Sequence, residues 1–217
     1  MKMAGAFDFK KEYKDLYSPK TTPGVIDVPE MVLIMVDGKG NPNTSEEYKS
    51  AVEILYGLSY TIKMSKMSSV QPKGYFDYVV PPLEGLWWLG DGSEVWYADK
   101  DKYCWTSMIR QPEFVDATVF KAARAELAKK KPTLNTSRAR LETYAEGLCI
   151  QMMHIGSYDD EPKTIAAITQ YMMDYGYISD ISDKRRHHEI YLSDPRKIAP
   201  EKLRTIIRHP IASGMLL

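Results

Sequence analysis

A glutamate lies between alternating polar and apolar side chains in the segment His188-Glu189-Ile190-Tyr191-Leu192. Successive side chains of a strand point to opposite faces, so His187, Glu189 and Tyr191 share one face. Ile190 and Leu192 share the other face and are suited to packing against helices. A carboxyl group that is partly buried among aromatic rings is suited to acid–base chemistry or to pairing with a cation. We therefore predict Glu189 as the main catalytic candidate; a solvated strand face is the alternative.

A second glutamate precedes two tryptophans in Leu83-Glu84-Gly85-Leu86-Trp87-Trp88. Strand alternation places Glu84, Leu86 and Trp88 on one face, with Trp87 on the opposite face. A carboxylate beside an indole can hold a cation through charge and through the ring face together. We predict Glu84 as the second catalytic candidate and Trp88 as a ligand contact, while packing of the tryptophans in a core is the alternative.

Aromatic residues with a polar tip are abundant, since the chain has 15 Tyr and 4 Trp against 5 Phe. Such side chains can hold flat ligands, although each of them can also be part of a core or a rim. Tyr171 and Tyr175 are four residues apart and share a helix face. The predicted ligand-binding residues are Trp88, Trp105, Tyr144, Tyr171, Tyr175 and Tyr191.

Several kinds of chemistry have no motif in this chain. A glycine-rich phosphate loop, a Cys-x-x-Cys pair and a nucleophile elbow are all missing from the sequence. The four histidines lack zinc-ligand spacing, and Cys104 and Cys149 are sparse enough to indicate reduced intracellular thiols. We therefore predict neither a metal ion nor a cofactor.

Charge and hydropathy limit the partners. Lys and Arg together number 29, as do Asp and Glu, so the formal net charge is zero and no basic surface for nucleic acid is indicated. No segment approaches the roughly 20 apolar residues of a membrane span, and the first residues do not resemble a signal peptide. We expect a cytoplasmic protein with a small-molecule ligand and with neither nucleic acid nor membrane as a partner. The oligomeric state has no signature in the sequence.

The elements that must position these residues follow one order twice. The first cycle has a strand at 31–36, a helix from about 45 to 66, extended stretches at 74–89 and 102–111, and a helix at about 112–130. The second cycle has a strand at 142–154, a helix that ends near Gly176, a strand at 189–192 and an extended run at 203–209.

A local echo supports a repeat, since residues 105–112 and 203–210 share an apolar pair, then Arg, one further residue and Pro. The predicted fold class is α+β, with two pseudo-twofold strand–helix–strand–strand modules whose antiparallel sheets face a central cleft. The expected organisation is a lead-in at 1–28, a first module at 29–131 and a second module at 140–217, together forming one domain. Clefts between such halves are common ligand sites.

In these segments and in their order, the chain resembles the GyrI-like small-molecule-binding family. The resemblance rests on the doubled element order and on the segments 82–88, 155–162 and 188–195, and it covers nearly all of the chain after about residue 25. It implies an effector-binding-domain-like fold, in which Glu189 corresponds to a strand glutamate that meets cationic drugs inside an aromatic cage. The first 28 residues show no helix-turn-helix, unlike the multidrug-responsive transcription regulators with this fold.

The resemblance also bears on activity, because one subfamily of stand-alone members looks like hydrolases of cyclopropane-bearing DNA alkylators. We predict binding of flat apolar or cationic xenobiotics in an aromatic cage, with hydrolysis as the enzymatic reading. Glu189 would then be the acid–base group and Glu84 the second choice. Two alternatives stay open: a non-catalytic protein that sequesters a drug or metabolite, and a gyrase-inhibitor-like module that binds another protein.

Overall fold

The structure is a computed structural model that describes residues 5–68, 71–91 and 99–214. Within these ranges the helices are α1 (Phe9–Glu12), α2 (Lys14–Tyr17), α3 (Glu46–Lys63), α4 (Ala117–Lys130) and α5 (Glu161–Tyr175). The strands in the same ranges are β1 (Gly24–Lys39), β2 (Leu83–Leu89), β3 (Tyr103–Arg110), β4 (Arg140–Ile155), β5 (Tyr177–Ser179), β6 (His187–Tyr191) and β7 (Arg204–Ser213). Parts of the predicted lead-in and of both modules, at 1–4, 69–70, 92–98 and 215–217, lie outside the described residues.

The seven strands form one antiparallel sheet in the order β4-β1-β3-β2-β6-β7-β5, and β7 also pairs with β4. This additional pairing closes the sheet into a barrel, and β5 extends β7 beyond it. The lengths of β1 and β4, 16 residues each, allow the closure, because β4 pairs with β1 along most of its length and with β7 near its end.

The outer face of the barrel is covered by helices. Helix α3 begins where the Ser45 hydroxyl accepts a hydrogen bond from the Tyr48 amide, and Ile54, Leu55 and Leu58 pack against the barrel and α4. Helix α5 packs Ile165, Ile168 and Met172 against another part of the barrel surface. The helix ends at Gly176, whose φ of 71° is left-handed, as the sequence predicts.

The N-terminal segment closes one end of the barrel. Phe9, Leu16 and Tyr17 are buried in a cluster with side chains of the barrel interior. Arg208 donates to the carbonyl of Leu16 at 3.1 Å, which ties the segment to β7. The lead-in is polar in composition, but its few apolar residues lie on the inward side of α1 and α2.

The α+β class is confirmed, whereas the arrangement of the strands differs from the prediction. All seven belong to one sheet, so the two separate facing sheets are replaced by a closed barrel. Strand pairing is nonlocal, and alternation within a strand does not say which other strand lies beside it. The pseudo-twofold relation between the modules stays a prediction.

Several element boundaries also differ. Strand β1 begins at Gly24, inside the predicted lead-in. The extended stretch at 74–89 contributes a strand only from Leu83, after Pro81-Pro82, since proline cannot donate to a ladder. Helix α4 begins at Ala117, where Asp116 accepts a hydrogen bond from the Val119 amide at 2.9 Å. In the described part of the chain, no helix is both long and apolar enough to cross a membrane.

Candidate functional site

A cavity of about 920 Å³ lies on the outer face of β2 and β6, between α3 and α5. Its wall combines aromatic side chains with two carboxyl groups. The aromatic residues are Tyr48, Tyr56, Trp87, Tyr103, Tyr158 and Tyr191. The carboxyl groups belong to Glu161, the first residue of α5, and to Glu189 in the middle of β6. Helix, strand and loop thus contribute to one cavity of a size suited to a small molecule.

The rings surround the cavity in edge-on and tilted arrangements. The Trp87 indole lies 5.8 Å from the Tyr48 ring and 5.9 Å from the Tyr103 ring, measured between centroids. Tyr158 meets Tyr191 edge-on at 5.9 Å. Such contacts stabilise the rings against one another beyond simple area burial. The wall is therefore preorganised to receive a flat molecule.

Glu189 is held by hydrogen bonds to both of its oxygens. The Tyr191 hydroxyl donates to Oε2 at 2.6 Å, and Nε2 of His187 lies 2.9 Å from Oε1. The Trp87 indole donates to the Tyr191 hydroxyl at 2.9 Å, which leaves the tyrosine proton directed at the carboxylate. The side chain of Glu189 is only 13% exposed. Its carboxylate is thus fixed in position at the cavity wall.

A glycine makes this arrangement possible. Gly85 lies directly opposite Glu189 in the β2–β6 pairing. A Cβ atom at Gly85 would lie 2.7 Å from Nε1 of Trp87 and 3.3 Å from the Tyr191 hydroxyl. The indole could then no longer reach Tyr191, so the absence of a side chain at Gly85 lets the two donors meet beside the carboxylate.

Glu161 brings a second carboxyl group to Glu189. Burial, the negative charge of Glu189 and a hydrogen bond to it raise the pKa of Glu161 well above its ordinary value. The position at a helix N-terminus favours the ionised form, but desolvation and the like charge outweigh it. Oε1 of Glu161 is buried and accepts no hydrogen bond from the rest of the described structure. The buried corner therefore favours the protonated form of Glu161.

The tyrosines keep their protons at neutral pH. Burial, followed by the charge of Glu189, raises the pKa of Tyr103 to about 12. Burial and the charge of Glu161 raise the pKa of Tyr158 to about 12 as well. Their hydroxyl groups are therefore neutral at pH 7. They can donate hydrogen bonds to a ligand, and they are not phenolates.

Ion pairs lie at the rim of the cavity. Lys100 binds Asp159 at 2.7 Å, and Arg196 binds Asp194 at 2.9 Å, so these rim charges largely cancel one another. The carboxyl pair of Glu161 and Glu189 lies deeper, where His187 contacts Glu189 and the charge of Lys100 only partly offsets the raised pKa of Glu161. The interior of the cavity is accordingly suited to a cationic or hydrogen-bond-donating ligand.

Glu189 and Tyr191 line the cavity, whereas Glu84 does not. In the β2–β6 pairing Glu84 lies opposite Ile190, which faces the barrel interior. There Glu84 is 1% exposed and accepts a hydrogen bond from Nε2 of His188 at 3.1 Å. The structure thus places Glu84 in the barrel interior, apart from Glu189, because alternation within each strand does not fix which faces of two strands coincide.

Glu84 belongs to a buried ionic cluster in the barrel interior. Nδ1 of His188 donates to Glu146 at 3.0 Å, and Arg208 donates to the same oxygen of Glu146 at 3.0 Å. Burial opposes both charges, but the neighbouring Glu146 and Glu84 raise the pKa of His188 to about 9. The charges of His188 and Arg208 lower the pKa of Glu146 to about 2. The cluster thus joins Glu84, Glu146, His188 and Arg208 through buried contacts inside the barrel.

Trp88 and Tyr144 are also absent from the cavity wall. Both pack against the inward-facing cluster that contains Leu86 and Met108. The Arg186 guanidinium lies 4.9 Å above the Trp88 ring, and the Tyr144 hydroxyl donates to the carbonyl of Lys184 at 3.3 Å. These contacts occupy the ring face of Trp88 and the hydroxyl of Tyr144, and the structure places both residues apart from the cavity.

Trp105 lies behind the cavity wall. It is fully buried and meets the Tyr48 ring edge-on at 5.0 Å. Its indole covers Gly38 of the neighbouring strand, where an added Cβ would lie 2.2 Å from the ring. Trp105 therefore supports Tyr48 from the core without reaching the ligand space.

Tyr171 and Tyr175 lie on the far part of α5. Their rings stack on one another with centroids 4.3 Å apart, as their four-residue spacing indicates. Neither of them lines the cavity, and Tyr175 is 65% exposed. Only the first turns of α5 reach the cavity, so the structure places these two tyrosines apart from it.

Glu161 and Trp87 line the cavity, although the sequence patterns do not predict them there. A signal for Glu161 was present, because it occupies the apolar stripe of α5, four residues before Ile165. A glutamate on such a stripe is buried when the helix packs. Trp87 shares a face with Gly85, and only the pairing of Gly85 with Glu189 shows that this face is the functional one. Among the described residues, no group of three or more His, Cys, Asp or Glu is arranged to hold a metal ion.

These features define an α+β small-molecule-binding domain, and the comparison with protein families agrees. The model of the GyrI-like small molecule binding domain matches residues 21–212, so the chain belongs to this family. No match was found among curated proteins.

Solved structures from Listeria innocua are similar over nearly the whole chain. One, described as a hydrolase, is 49% identical with a TM-score of 0.88, covering 95% of this chain and 100% of that chain. Another, described as an uncharacterized conserved protein, is 50% identical with a TM-score of 0.90 and the same coverage. The C-terminal domain of EcmrR is 11% identical with a TM-score of 0.54, covering 88% of this chain and 98% of that chain, and shares the fold alone.

Proposed function

We propose that this protein binds flat, apolar or cationic xenobiotics in the aromatic cavity and adds water to them, with cyclopropane-bearing DNA alkylators as the substrate class. The observation that carries the proposal is the pair of Glu161 and Glu189 in one buried corner. Two carboxyl groups with different protonation states supply an acid and a base side by side. The description of a 49% identical protein as a hydrolase supports the same reading.

The proposed reaction begins with a cyclopropane conjugated to a carbonyl, held flat among the cavity rings. A water molecule attacks a ring carbon while Glu189 accepts a proton from it, and the new C–O bond forms. The strained C–C bond breaks, and its electron pair moves through the conjugated system to the carbonyl oxygen. Glu161 donates its proton to that oxygen, so the product contains the atoms of one added water.

The carboxyl pair returns to its starting state by an internal proton transfer. After the reaction Glu189 carries the proton taken from water and Glu161 is ionised. Since the two carboxyl groups interact directly, the proton passes from Glu189 to Glu161. The ring faces of Tyr48 and Trp87 tolerate positive character on the attacked carbon. The neutral hydroxyls of Tyr103 and Tyr158 supply further donors to the carbonyl oxygen.

The cavity position also supports the proposal of two related modules. Helix α3 of the first module, 29–131, and helix α5 of the second module, 140–217, contribute opposite sides of the cavity. A pseudo-twofold arrangement would place the cleft between the halves, where ligand sites are common. We propose this organisation together with the lead-in at 1–28 as the domain plan of the chain.

Incubation with a carbonyl-conjugated cyclopropane tests the function. The wild-type protein is expected to give a product heavier by one water, detected by mass spectrometry, at a rate well above the buffer reaction. The Glu189→Gln variant is expected to lose about 100-fold or more of this rate, since removal of a general base has effects of that size. Tyr171→Phe, outside the cavity, is the matched control.

The sequestering alternative gives a different result in the same experiment. If the compound binds at saturating protein but is recovered unchanged, the hydrolytic proposal is wrong and the cavity is a binding site alone. Equal rates for wild type and Glu189→Gln would also contradict the assignment of the base.

A further inference from the structure

An ion pair connects two loops beside the acidic corner of the cavity. Lys100 lies just before β3, and Asp159 lies just before α5, two residues ahead of Glu161. Nζ of Lys100 is 2.7 Å from Oδ1 of Asp159, and both side chains line the cavity. The pair therefore brings a positive charge from the β2–β3 connection to the end of α5 where Glu161 lies.

The charged groups around Glu161 act on its carboxyl group in opposite directions. Burial has the largest effect and raises the pKa of Glu161, and the charge and hydrogen bond of Glu189 raise it further. Lys100 lowers this pKa, whereas Asp159 raises it. Titratable hydroxyls at the same corner belong to Tyr103, Tyr158 and Tyr191, whose own pKa values are raised. Lys100 thus favours the ionised form of Glu161, against the effects of burial and of the two neighbouring acidic side chains.

The proposed reaction requires Glu161 to release a proton that its surroundings hold tightly. The O–H bond of Glu161 breaks, the proton bonds to the carbonyl oxygen of the substrate, and the electron pair stays on Glu161. The new negative charge appears in a desolvated corner, where a charge without a partner is costly. A cation already in place near that charge lowers the cost of the transfer.

We propose that Lys100 is a positioning residue that acts through Glu161, because its ammonium group, held by Asp159, stabilises the carboxylate that Glu161 becomes when it gives its proton to the substrate. The proposal rests on the proposed function, in which Glu161 is the acid. The side chain of Lys100 is 35% exposed, so solvent screens its charge and the expected contribution is modest.

The two members of the ion pair are expected to have opposite effects when they are replaced. Lys100→Gln removes a positive charge, so the pKa of Glu161 should rise. Asp159→Asn removes a negative charge and releases Lys100, so the pKa of Glu161 should fall. A purely structural role of the ion pair predicts the same effect in both variants, because either substitution breaks the same contact.

Two further variants serve as controls. Lys100→Arg keeps the positive charge and should behave like the wild type. Lys163→Gln removes a lysine that is two residues after Glu161 in the chain but pairs with Asp160 outside the cavity wall. This variant should leave the titration of Glu161 unchanged. Thermal unfolding of each variant reports any loss of folded protein.

Carbon-13 NMR of labelled glutamate tests the charge effect in the protein alone. The Glu161 signal, assigned with Glu161→Gln, is followed as the pH is changed. We expect its midpoint to move to higher pH in Lys100→Gln and to lower pH in Asp159→Asn. An unchanged midpoint in folded Lys100→Gln, or a shift in the same direction in both variants, would overturn the proposal.

Turnover of the carbonyl-conjugated cyclopropane tests the consequence for the reaction. Lys100→Gln should lower kcat by roughly threefold to fivefold with little change in KM, the size of effect that a partly exposed charge interaction has. The alkaline limb of its pH profile should move to higher pH, because that limb follows the ionisation of the acid. Lys100→Arg should recover most of the rate. A lower kcat with an unmoved alkaline limb would assign Lys100 a structural role instead.

The two measurements also keep the proposals apart. Absence of turnover in the wild type contradicts the hydrolytic function, while the NMR titration still decides whether Lys100 and Asp159 set the ionisation of Glu161. Normal turnover in the wild type, with equal kcat in folded Lys100→Gln, preserves the function and removes Lys100 from it.

Discussion

Glu161 begins helix α5 and Glu189 lies in strand β6, yet their carboxyl groups meet in one buried corner of the aromatic cavity. The contact raises the pKa of Glu161 well above its ordinary value, through burial and through the charge of Glu189. Neighbouring donors from Tyr191 and His187 hold Glu189 in place. In the proposed reaction, the pair gives the cavity an acid and a base at fixed positions.

Replacement of Glu161 by glutamine is expected to lower kcat and to raise the unfolding temperature at pH 8. Glu161→Gln removes the acid and should lower kcat by roughly 100-fold. Because the pKa of Glu161 is raised, the native state binds this proton more tightly than the unfolded state, and stability falls as the pH rises above about 4.5. The neutral amide has no such titration, so Glu161→Gln should unfold at a higher temperature than the wild type at pH 8. Calorimetry at pH 5 and pH 8 measures the difference, and a lower unfolding temperature at pH 8 would contradict it.

Aromatic substitutions inside and outside the cavity are expected to differ. Tyr191→Phe removes the donor to Oε2 of Glu189 and should reduce kcat by about tenfold, within the range known for lost hydrogen bonds to charged groups. Trp87→Phe in that background should add little through Glu189, because its indole acts through the Tyr191 hydroxyl. Tyr175→Phe, on the exposed part of α5, should leave the rate unchanged. A double-mutant cycle is obtained from the kcat values of Tyr191→Phe, Trp87→Phe and the double variant. If the two losses in activation free energy were fully additive, Trp87 would not act through the Tyr191 hydroxyl.

A methyl group at Gly85 is expected to disturb the site while the barrel stays intact. The new Cβ would meet Nε1 of Trp87 at 2.7 Å, so the indole must move and its hydrogen bond to Tyr191 must break. Gly85→Ala should therefore lower ligand affinity and rate by about tenfold or more, as an interaction of roughly 1.4 kcal/mol corresponds to tenfold. Circular dichroism is expected to match the wild type. Unchanged affinity in the folded variant would show that Trp87 has room to shift.

The ionic cluster inside the barrel is expected to govern stability against pH. The pKa of His188 is raised to about 9, so its contribution is complete below about 6.5 and is lost as the pH rises through about 9. The pKa of Glu146 is lowered to about 2, so its contribution is complete above about 4.5 and is lost as the pH falls toward 2. Urea unfolding between pH 2 and pH 10 should show these two declines. His188→Gln should remove the decline above pH 6.5 in addition to destabilising the protein, and a persistent alkaline decline in this variant would assign it to another group.

Much of the local structure could be predicted from the sequence. Helical spacing located α3 and α5, and Gly176 marked the end of α5. Strand alternation placed Glu189 and Tyr191 on one face of β6. Each of these inferences depends on residues close in the chain, where backbone geometry leaves few choices.

The composition of the site could not be predicted in the same way. Whether Trp87 or Trp88 shares a face with Glu189 depends on the register between β2 and β6, and a slip of one residue exchanges the two faces. For this reason alternation alone does not distinguish a Glu84 at the cavity from the Glu84 observed in the barrel interior. The closure of the sheet by β4 and β7 pairs residues that are 49 to 61 positions apart in the chain, and alternation carries no information about such pairing.

The protonation of the carboxyl pair tests the central claim most directly. Carbon-13 NMR of labelled glutamate, with Glu161→Gln and Glu189→Gln used for assignment, reports the state of each carboxyl group as the pH is changed. We expect Glu161 to be a protonated carboxylic acid at pH 7 and to ionise more readily once Glu189 is replaced. Ionisation of Glu161 below pH 5 in the wild type would contradict it, because the cavity would then contain no acid to donate a proton to the substrate.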